Sequence, residues 1–288
     1  MNGCSVRAHA KINLSLEVTG RRPDGYHELV SVFQAINLCD VLEFSDAADL
    51  TLVSEPALPF DADANLAMRA ARLLAAAAPA SGGAQIRLRK RIPVAAGLGG
   101  GSADAAATLL GLRALWGLGS FDLRPAAEQL GSDVPYFLSS ATVLVQGRGE
   151  LLRPLPPLPV KSVVLVRPLA ALATRDVFAA LAPTEWSDGG ASLALAAALA
   201  DGRGLEHASL ANTLLPAAER CCPALARLRA GLQNAGWTPH LSGSGPTLFL
   251  LPDSAPEATR MRIVARALGA ESWSCRTLRR PPLRVLYC

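Results

Sequence analysis

The chain has 288 residues, half of them hydrophobic and 18% charged, so it can build a folded core and lacks the composition of a disordered segment. Its 28 basic and 24 acidic side chains leave a formal charge of +4, too mild to demand a nucleic-acid partner but suited to an anionic ligand. No basic run with interleaved aromatics of the kind that binds strands is present. Only Lys11, Lys90 and Lys161 are lysines, so each one draws notice. Met1–Lys11 holds no apolar core of a signal peptide, and the alanine-rich runs Leu73–Ala80 and Leu193–Ala200 fall far short of the ~20 residues a bilayer requires. The expectation is a soluble, cytoplasmic protein without a membrane partner. Cys4, Cys39, Cys221, Cys222, Cys275 and Cys288 form no C-x-x-C pair, which predicts free thiols rather than a disulfide or zinc framework.

From Val6 to Val18 apolar even positions alternate with Arg7, His9, Lys11, Asn13, Ser15 and Glu17, the period-two pattern of a long strand or bent strand pair with one buried face. Lys11 and Asn13 then share its polar face. Arg21–Gly25 reads as a turn. Further strands are predicted at Leu29–Ile36, Val41–Phe44, Leu50–Val53 and Gln85–Lys90, with an alanine-rich helix at Asn65–Ala78. A glycine-rich loop, Gly97–Gly101, opens a helix over Ala103–Trp116, and a second helix spans Leu123–Leu130. The prolines of Pro154–Pro159 favour a linker, dividing the chain into residues 1–155 and 160–288. The second half predicts a strand at Ser162–Val166, helices near Arg175–Leu181, Ser192–Ala200 and Ala217–Asn234, strands at Trp237–Leu241 and Thr247–Leu251, a helix at Pro256–Leu268 and a closing strand over Ser272–Leu286. Without the extra helices this is β-α-β-β-α-β, the ferredoxin-like order.

The strongest chemical signal is the run Pro93-Val94-Ala95-Ala96-Gly97-Leu98-Gly99-Gly100-Gly101-Ser102-Ala103. Clustered glycines allow positive φ and close approach to a ligand, and the helix that follows offers unpaired N–H groups to an anion. Ser102 either caps that helix or turns its hydroxyl towards a phosphate or metal ion. The loop lacks the Gly-Lys-Ser/Thr ending of a P-loop, and no second strand with an acidic tip follows as in a dinucleotide fold. Charge neutralisation must come from elsewhere, and Lys11 is the obvious supplier. By local sequence alone Asp133, before Val134-Pro135-Tyr136-Phe137, reads as an N-cap.

Lys11-Ile12-Asn13-Leu14, Asp24-Gly25-Tyr26-His27-Glu28-Leu29, Pro93–Ala103, Gly131–Phe137 and Leu241-Ser242-Gly243-Ser244-Gly245-Pro246-Thr247 occur in that order along the chain. Together they resemble the GHMP kinase superfamily, which includes galactokinase, homoserine kinase and mevalonate kinase. The Asp-Gly-Tyr-His segment is similar to that of the members acting on a cytidylated alcohol. The resemblance implies an α+β protein of two domains, an N-terminal ribosomal-protein-S5-like domain and a C-terminal ferredoxin-like domain. It implies ATP and Mg²⁺ as co-substrate and cofactor, and phosphorylation of the 2-hydroxyl of CDP-methylerythritol in the non-mevalonate isoprenoid route. Asp133 would be the base, with Lys11 beside it. Pro93–Ala103, Asn65 and Lys90 would contact ATP; Asn13, Tyr26, His27 and Phe33 would hold the substrate, the last three around its cytosine. Thr174 and Phe178 match the family's substrate-side pair, although Ala171-Leu172-Ala173 departs from its usual pattern. Rival readings are another small-molecule GHMP kinase, for which Tyr26 and His27 would be idle, and a catalytically silent nucleotide binder on the same scaffold. No metal ligand or oligomeric state follows from the sequence.

Overall fold

A computed structural model describes residues 3–78, 82–205 and 209–287. Cys288 and the last two residues of the Leu73–Ala80 run lie outside these; the other five cysteines form no disulfide among the described residues. Two long antiparallel strands, β1 (Gly3–Arg21) and β2 (His27–Ala47), form the spine. β3 (Leu50–Glu55), α1 (Leu66–Ala77), β4 (Gly83–Arg89), α2 (Gly100–Leu115), α3 (Arg124–Leu130), α4 (Val134–Phe137), β5 (Thr142–Gly147) and β6 (Leu151–Pro154) follow. The second half comprises β7 (Ser162–Pro168), α5 (Thr174–Ala180), α6 (Gly190–Ala200), α7 (Leu215–Cys221), α8 (Pro223–Asn234), β8 (His240–Leu241), β9 (Leu248–Leu250), α9 (Ala255–Ala267), β10 (Ala270–Arg276) and β11 (Leu283–Tyr287). No helix among the described residues is long and apolar enough to cross a membrane.

The first sheet runs β11-β1-β2-β4-β3, with β5 pairing β2 and β6; the second runs β10-β7-β9-β8. The second sheet, with its intervening helices, has the ferredoxin-like connection order. Several boundaries differ from the sequence reading for local reasons. β2 is one continuous strand, not two. Pro223 has no N–H to continue a helix and suits a first helical position, so Ala217–Asn234 breaks into α7 and α8. The closing segment is two strands, and β11 crosses back to pair with β1, Arg284 opposite Arg7. The last strand therefore belongs to the first sheet, and the division at the proline linker does not separate the two halves completely.

β1 departs most from expectation. Alternation predicts one polar face, but every residue from Ala10 to Val18 is buried. Register shifts at His9/Lys11 and Asn13/Ser15 kink the strand, as bulges do. Val6 and Ala8 pack into the core beneath α1 and α2, whereas Ile12 and Leu14 pack with Val163, Leu165 and Phe249 of the second sheet. Lys11 and Asn13 are themselves buried rather than solvated.

α2 crosses the first sheet on its small residues. Ala103, Ala105, Ala106 and Ala107 are fully buried, and a Cβ at Gly111 would lie 2.3 Å from the buried Phe44 ring. Gly111→Val should therefore lower stability by about 1–3 kcal/mol through overpacking. A denaturant midpoint equal to that of the native protein would contradict this packing.

Candidate active site

The chain leaving β4 enters the glycine loop through a run of left-handed residues: Ala95, Gly97 and Gly99 have φ of 51°, 71° and 70°. At Gly97 and Gly99 the need is steric as well as conformational. A Cβ on Gly97 would lie 2.3 Å from the Ser242 carbonyl oxygen, and one on Gly99 would lie 2.8 Å from the Phe137 ring and 3.1 Å from Lys11 Cγ. Gly99 occupies the N-cap of α2 and no side chain caps the helix. The first-turn N–H groups of a sixteen-residue helix are thus left to the adjoining cleft. Ser102 lies inside the first turn and lines the cleft, so capping is not its role. Ala103 is fully buried and does not reach the cleft, contrary to its assignment with the loop.

That cleft, of about 1320 Å³, runs between the glycine loop and elements of both sheets. On its floor the Lys11 ammonium donates to Asn13 Oδ1 at 2.6 Å, and Asn13 Nδ2 donates to Ser31 Oγ at 2.9 Å. Ser31 in turn donates to the Ser15 carbonyl at 2.5 Å. The Phe33 ring lies 4.3 Å from the same ammonium, within the range of a cation–π contact. Asp133 does not cap α4 with its side chain. Its carboxylate instead faces Lys11 Nζ at 3.5 Å, with the two side chains 34% and 4% exposed respectively. Burial pulls the Lys11 pKa below the ordinary lysine value, and the Asp133 charge opposes that fall.

Around this pair the expected residues separate into three groups. Tyr26 is exposed, with the Arg148 guanidinium 5.2 Å from its ring centre. His27 packs against Phe178 with ring centres 5.0 Å apart, and its pKa is lowered by partial burial and by the Arg21 charge. The Tyr26 turn is held from behind: Arg22 binds Glu28 at 2.8 Å and Asp24 at 3.3 Å, and Asp24 accepts the Tyr26 N–H at 3.1 Å. Phe33 reaches the cleft wall but is 4% exposed and packed edge-on to Tyr136, so it offers no open ring face. It supports Lys11.

The second group comes from the ferredoxin-like half. Thr174 and Ser244 share a hydrogen bond of 2.8 Å, Ser242 donates to the Gly97 carbonyl at 2.9 Å, and Asn212 Nδ2 donates to the Leu241 and Gly243 carbonyls at 2.9 Å each. The Gly243–Gly245 turn is thereby seated on the glycine loop. The third group flanks that loop. Asn65 caps α1 by accepting the Ala67 N–H at 2.9 Å and lines the cleft. Lys90 is no solvated strand end, because its ammonium is held by Asp40 and Asp104 beneath the loop. Asp104 is accordingly an ion-pair partner of Lys90. Arg148, Arg175 and Trp186 line the cleft too and escaped the sequence reading. Single arginines in an arginine-rich chain give no signal, although Gly147-Arg148-Gly149 is a tight turn with φ of 74° and 125° at its glycines. Among the described residues no group of three His, Cys, Asp or Glu side chains could hold a metal ion.

The chain belongs to the GHMP kinase family: the profile of the GHMP kinases N terminal domain matches residues 65–141, through the whole glycine loop, and that of the GHMP kinases C terminal matches residues 194–270. Within that family it belongs with the 4-diphosphocytidyl-2-C-methyl-D-erythritol kinases. A relative of that name from Pelotomaculum thermopropionicum is 45% identical over 248 residues, covering 84% of this chain and 86% of the relative. Another from Symbiobacterium thermophilum is 39% identical over 288 residues, covering 95% and 99%. A crystal structure of 4-(cytidine 5'-diphospho)-2C-methyl-D-erythritol kinase is 37% identical with a TM-score of 0.80, covering 95% of this chain and 98% of that one. A homoserine kinase from Cytophaga hutchinsonii, at 22% identity and a TM-score of 0.70 over 99% of this chain and 98% of its own, shares the fold.

With only three lysines, lysine-selective NMR can follow each ammonium separately. Lys11 should titrate below the ordinary lysine value and Lys90 above it, since for Lys90 burial is outweighed by Asp104 and Asp40. Asp133→Asn removes the charge that keeps the Lys11 proton, so Lys11 should move further down. A Lys11 titration above the ordinary value, or one indifferent to Asp133→Asn, would contradict the site's electrostatics.

Proposed function

We propose that the chain transfers the γ-phosphoryl group of ATP to the 2-hydroxyl of 4-(cytidine 5'-diphospho)-2-C-methyl-D-erythritol, giving the 2-phosphate and ADP. The observation that carries this reading is the Lys11–Asp133 pair, 3.5 Å apart on the floor of a cleft whose wall is the glycine loop. The substrate's oxygen attacks the γ-phosphorus, the bond to the β–γ bridging oxygen breaks, and Asp133 takes the hydroxyl proton. Such transfers need little covalent work from the protein, so positioning and charge stabilisation dominate. Lys11, held by Asn13 and lying over Phe33, keeps Asp133 oriented and offsets negative charge that develops between the reacting oxygens. The hydroxyl becomes acidic only as it attacks, so the carboxylate accepts its proton late.

The loop amides from Gly97 to Ser102 would receive the triphosphate, with Asn65 at the nucleoside end. Tyr26, His27 and Phe178 would take the cytosine, the first by stacking and His27 by a polar edge contact. Arg148, beside Tyr26, is suited to the substrate's diphosphate. Thr174, fixed by Ser244, would approach the alcohol from the second domain. In domain terms, residues 1–155 carry the glycine loop and base while residues 160–288 close the cleft, with β11 returning to the first sheet. Ser102, which lines the cleft at the start of α2, would face a bound Mg²⁺, whose chemistry would be to neutralise charge on the nucleotide's phosphates. The work would be done in the cytoplasm, where ATP is supplied.

A homoserine- or mevalonate-type kinase would leave the Tyr26 and His27 surface without a ligand, and a silent nucleotide binder would have no use for the buried Lys11. The experiment is turnover of ATP with the cytidylated alcohol, alongside equilibrium binding of CDP. Asp133→Asn should lose about 10²–10⁴-fold in turnover while CDP still binds. Native turnover in that variant would remove Asp133 from the chemistry, and a native protein indifferent to CDP would remove the substrate assignment.

A further inference from the structure

Lys90 stands where the family resemblance puts a nucleotide contact, yet its ammonium is already committed. It lies 2.5 Å from Asp40 Oδ2 and 2.7 Å from Asp104 Oδ2, and all three side chains are at least nine-tenths enclosed. Asp40 has no exposure, and its other oxygen accepts the N–H groups of Arg91 at 2.5 Å and Ile92 at 2.8 Å. These are the first residues of the chain leaving β4 for the glycine loop. Asp104 lies one turn into α2, with its Oδ1 buried and without a hydrogen-bond partner. The Lys90 nitrogen is 3.0 Å from where a Cβ on Gly100 would project. One ammonium thus joins β2, the start of the loop and the opening of α2, directly under the amides that face the cleft.

We infer that Lys90 is a positioning residue for the nucleotide: acting through Asp40 and Asp104, it sets the corner between loop and helix and does not itself bind phosphate. This rests on the reading that the glycine loop receives ATP. To reach a phosphate the ammonium would have to abandon two buried carboxylates, and breaking a buried ion pair from one side strands the remaining charge. The charge balance points the same way. Two ionised carboxylates under one ammonium would place net negative charge beneath an anion site. Burial pushes Asp104 well above the usual carboxylate range, against the pull of Lys90 and with the Asp40 charge adding to the rise. That direction disfavours a second full negative charge beneath the loop.

The test measures KM for ATP, kcat at saturating ATP, and CDP affinity in Lys90→Met and Asp104→Asn. Positioning predicts that Lys90→Met raises KM for ATP about tenfold or more, with a much smaller change in kcat and none in CDP affinity. A merely structural role would instead reduce kcat and the number of CDP sites together, leaving KM for ATP unchanged, and that result overturns the inference. Asp104→Asn separates positioning from direct phosphate binding and carries the test alone if Lys90→Met does not fold. Positioning predicts that it too weakens ATP, because the corner loosens; a freed phosphate-binding lysine would tighten ATP, and that would overturn the proposal. Absence of ATP turnover in the native protein would instead count against the kinase reading itself.

Discussion

A primary ammonium with almost no access to water has to be satisfied from within, and at Lys11 that requirement organises the surrounding structure. Asn13, two residues along the same strand, accepts from it at 2.6 Å and is itself fixed by Ser31 of the neighbouring strand. Phe33 supplies an aromatic face below, and Asp133 supplies the opposite charge from the corner before α4. Without these partners the lysine would shed its proton, since desolvation penalises only the charged form. The longer separation from Asp133 leaves that carboxylate a third exposed and facing the cleft. One partner is therefore buried and fixed while the other remains available to a reactant, which is the division of labour a base and its charge partner need.

The two lysines at the site handle charge in contrasting ways. Lys11 has one carboxylate nearby and is left with positive potential to offer a developing anion. Lys90 is held by two and has none to spare. On the proposed reading, phosphate is left to main-chain N–H groups at the start of α2, and the loop needs glycine at Gly97 and Gly99. Side chains there would strike Ser242 and Phe137, separating the loop from the second domain or from the corner that carries Asp133. The buried clusters hold the backbone of the loop.

Much of this was legible in the chain before any coordinates. The alternation over Val6–Val18 identified the strand and put Lys11 and Asn13 on one side of it, and the glycine run identified a loop that opens a helix at the cleft. What alternation cannot report is a second covering layer: Lys11 and Asn13 are enclosed by residues distant in the chain, Gly99 and Asp133 beside Lys11 and Gly243 beside Asn13. The return of β11 to β1 was hidden for the same reason, because a strand's sequence does not name its partner. Asp133 as an N-cap was a sound local expectation overturned by a tertiary contact. Ser102 lost its capping alternative to Gly99, whose left-handed φ ends the loop one turn earlier. Asp40 could not be singled out at all, since its importance lies in accepting two N–H groups fifty residues further on.

The most direct test of the account is a crystal structure of the ternary complex with a non-hydrolysable ATP analogue and the cytidylated alcohol. The account places the acceptor hydroxyl within about 3 Å of the Asp133 carboxylate, with Lys11 beside it and the terminal phosphate on the amides of the glycine loop. A terminal phosphate bound away from those amides, or an acceptor hydroxyl out of hydrogen-bond reach of Asp133, would contradict it.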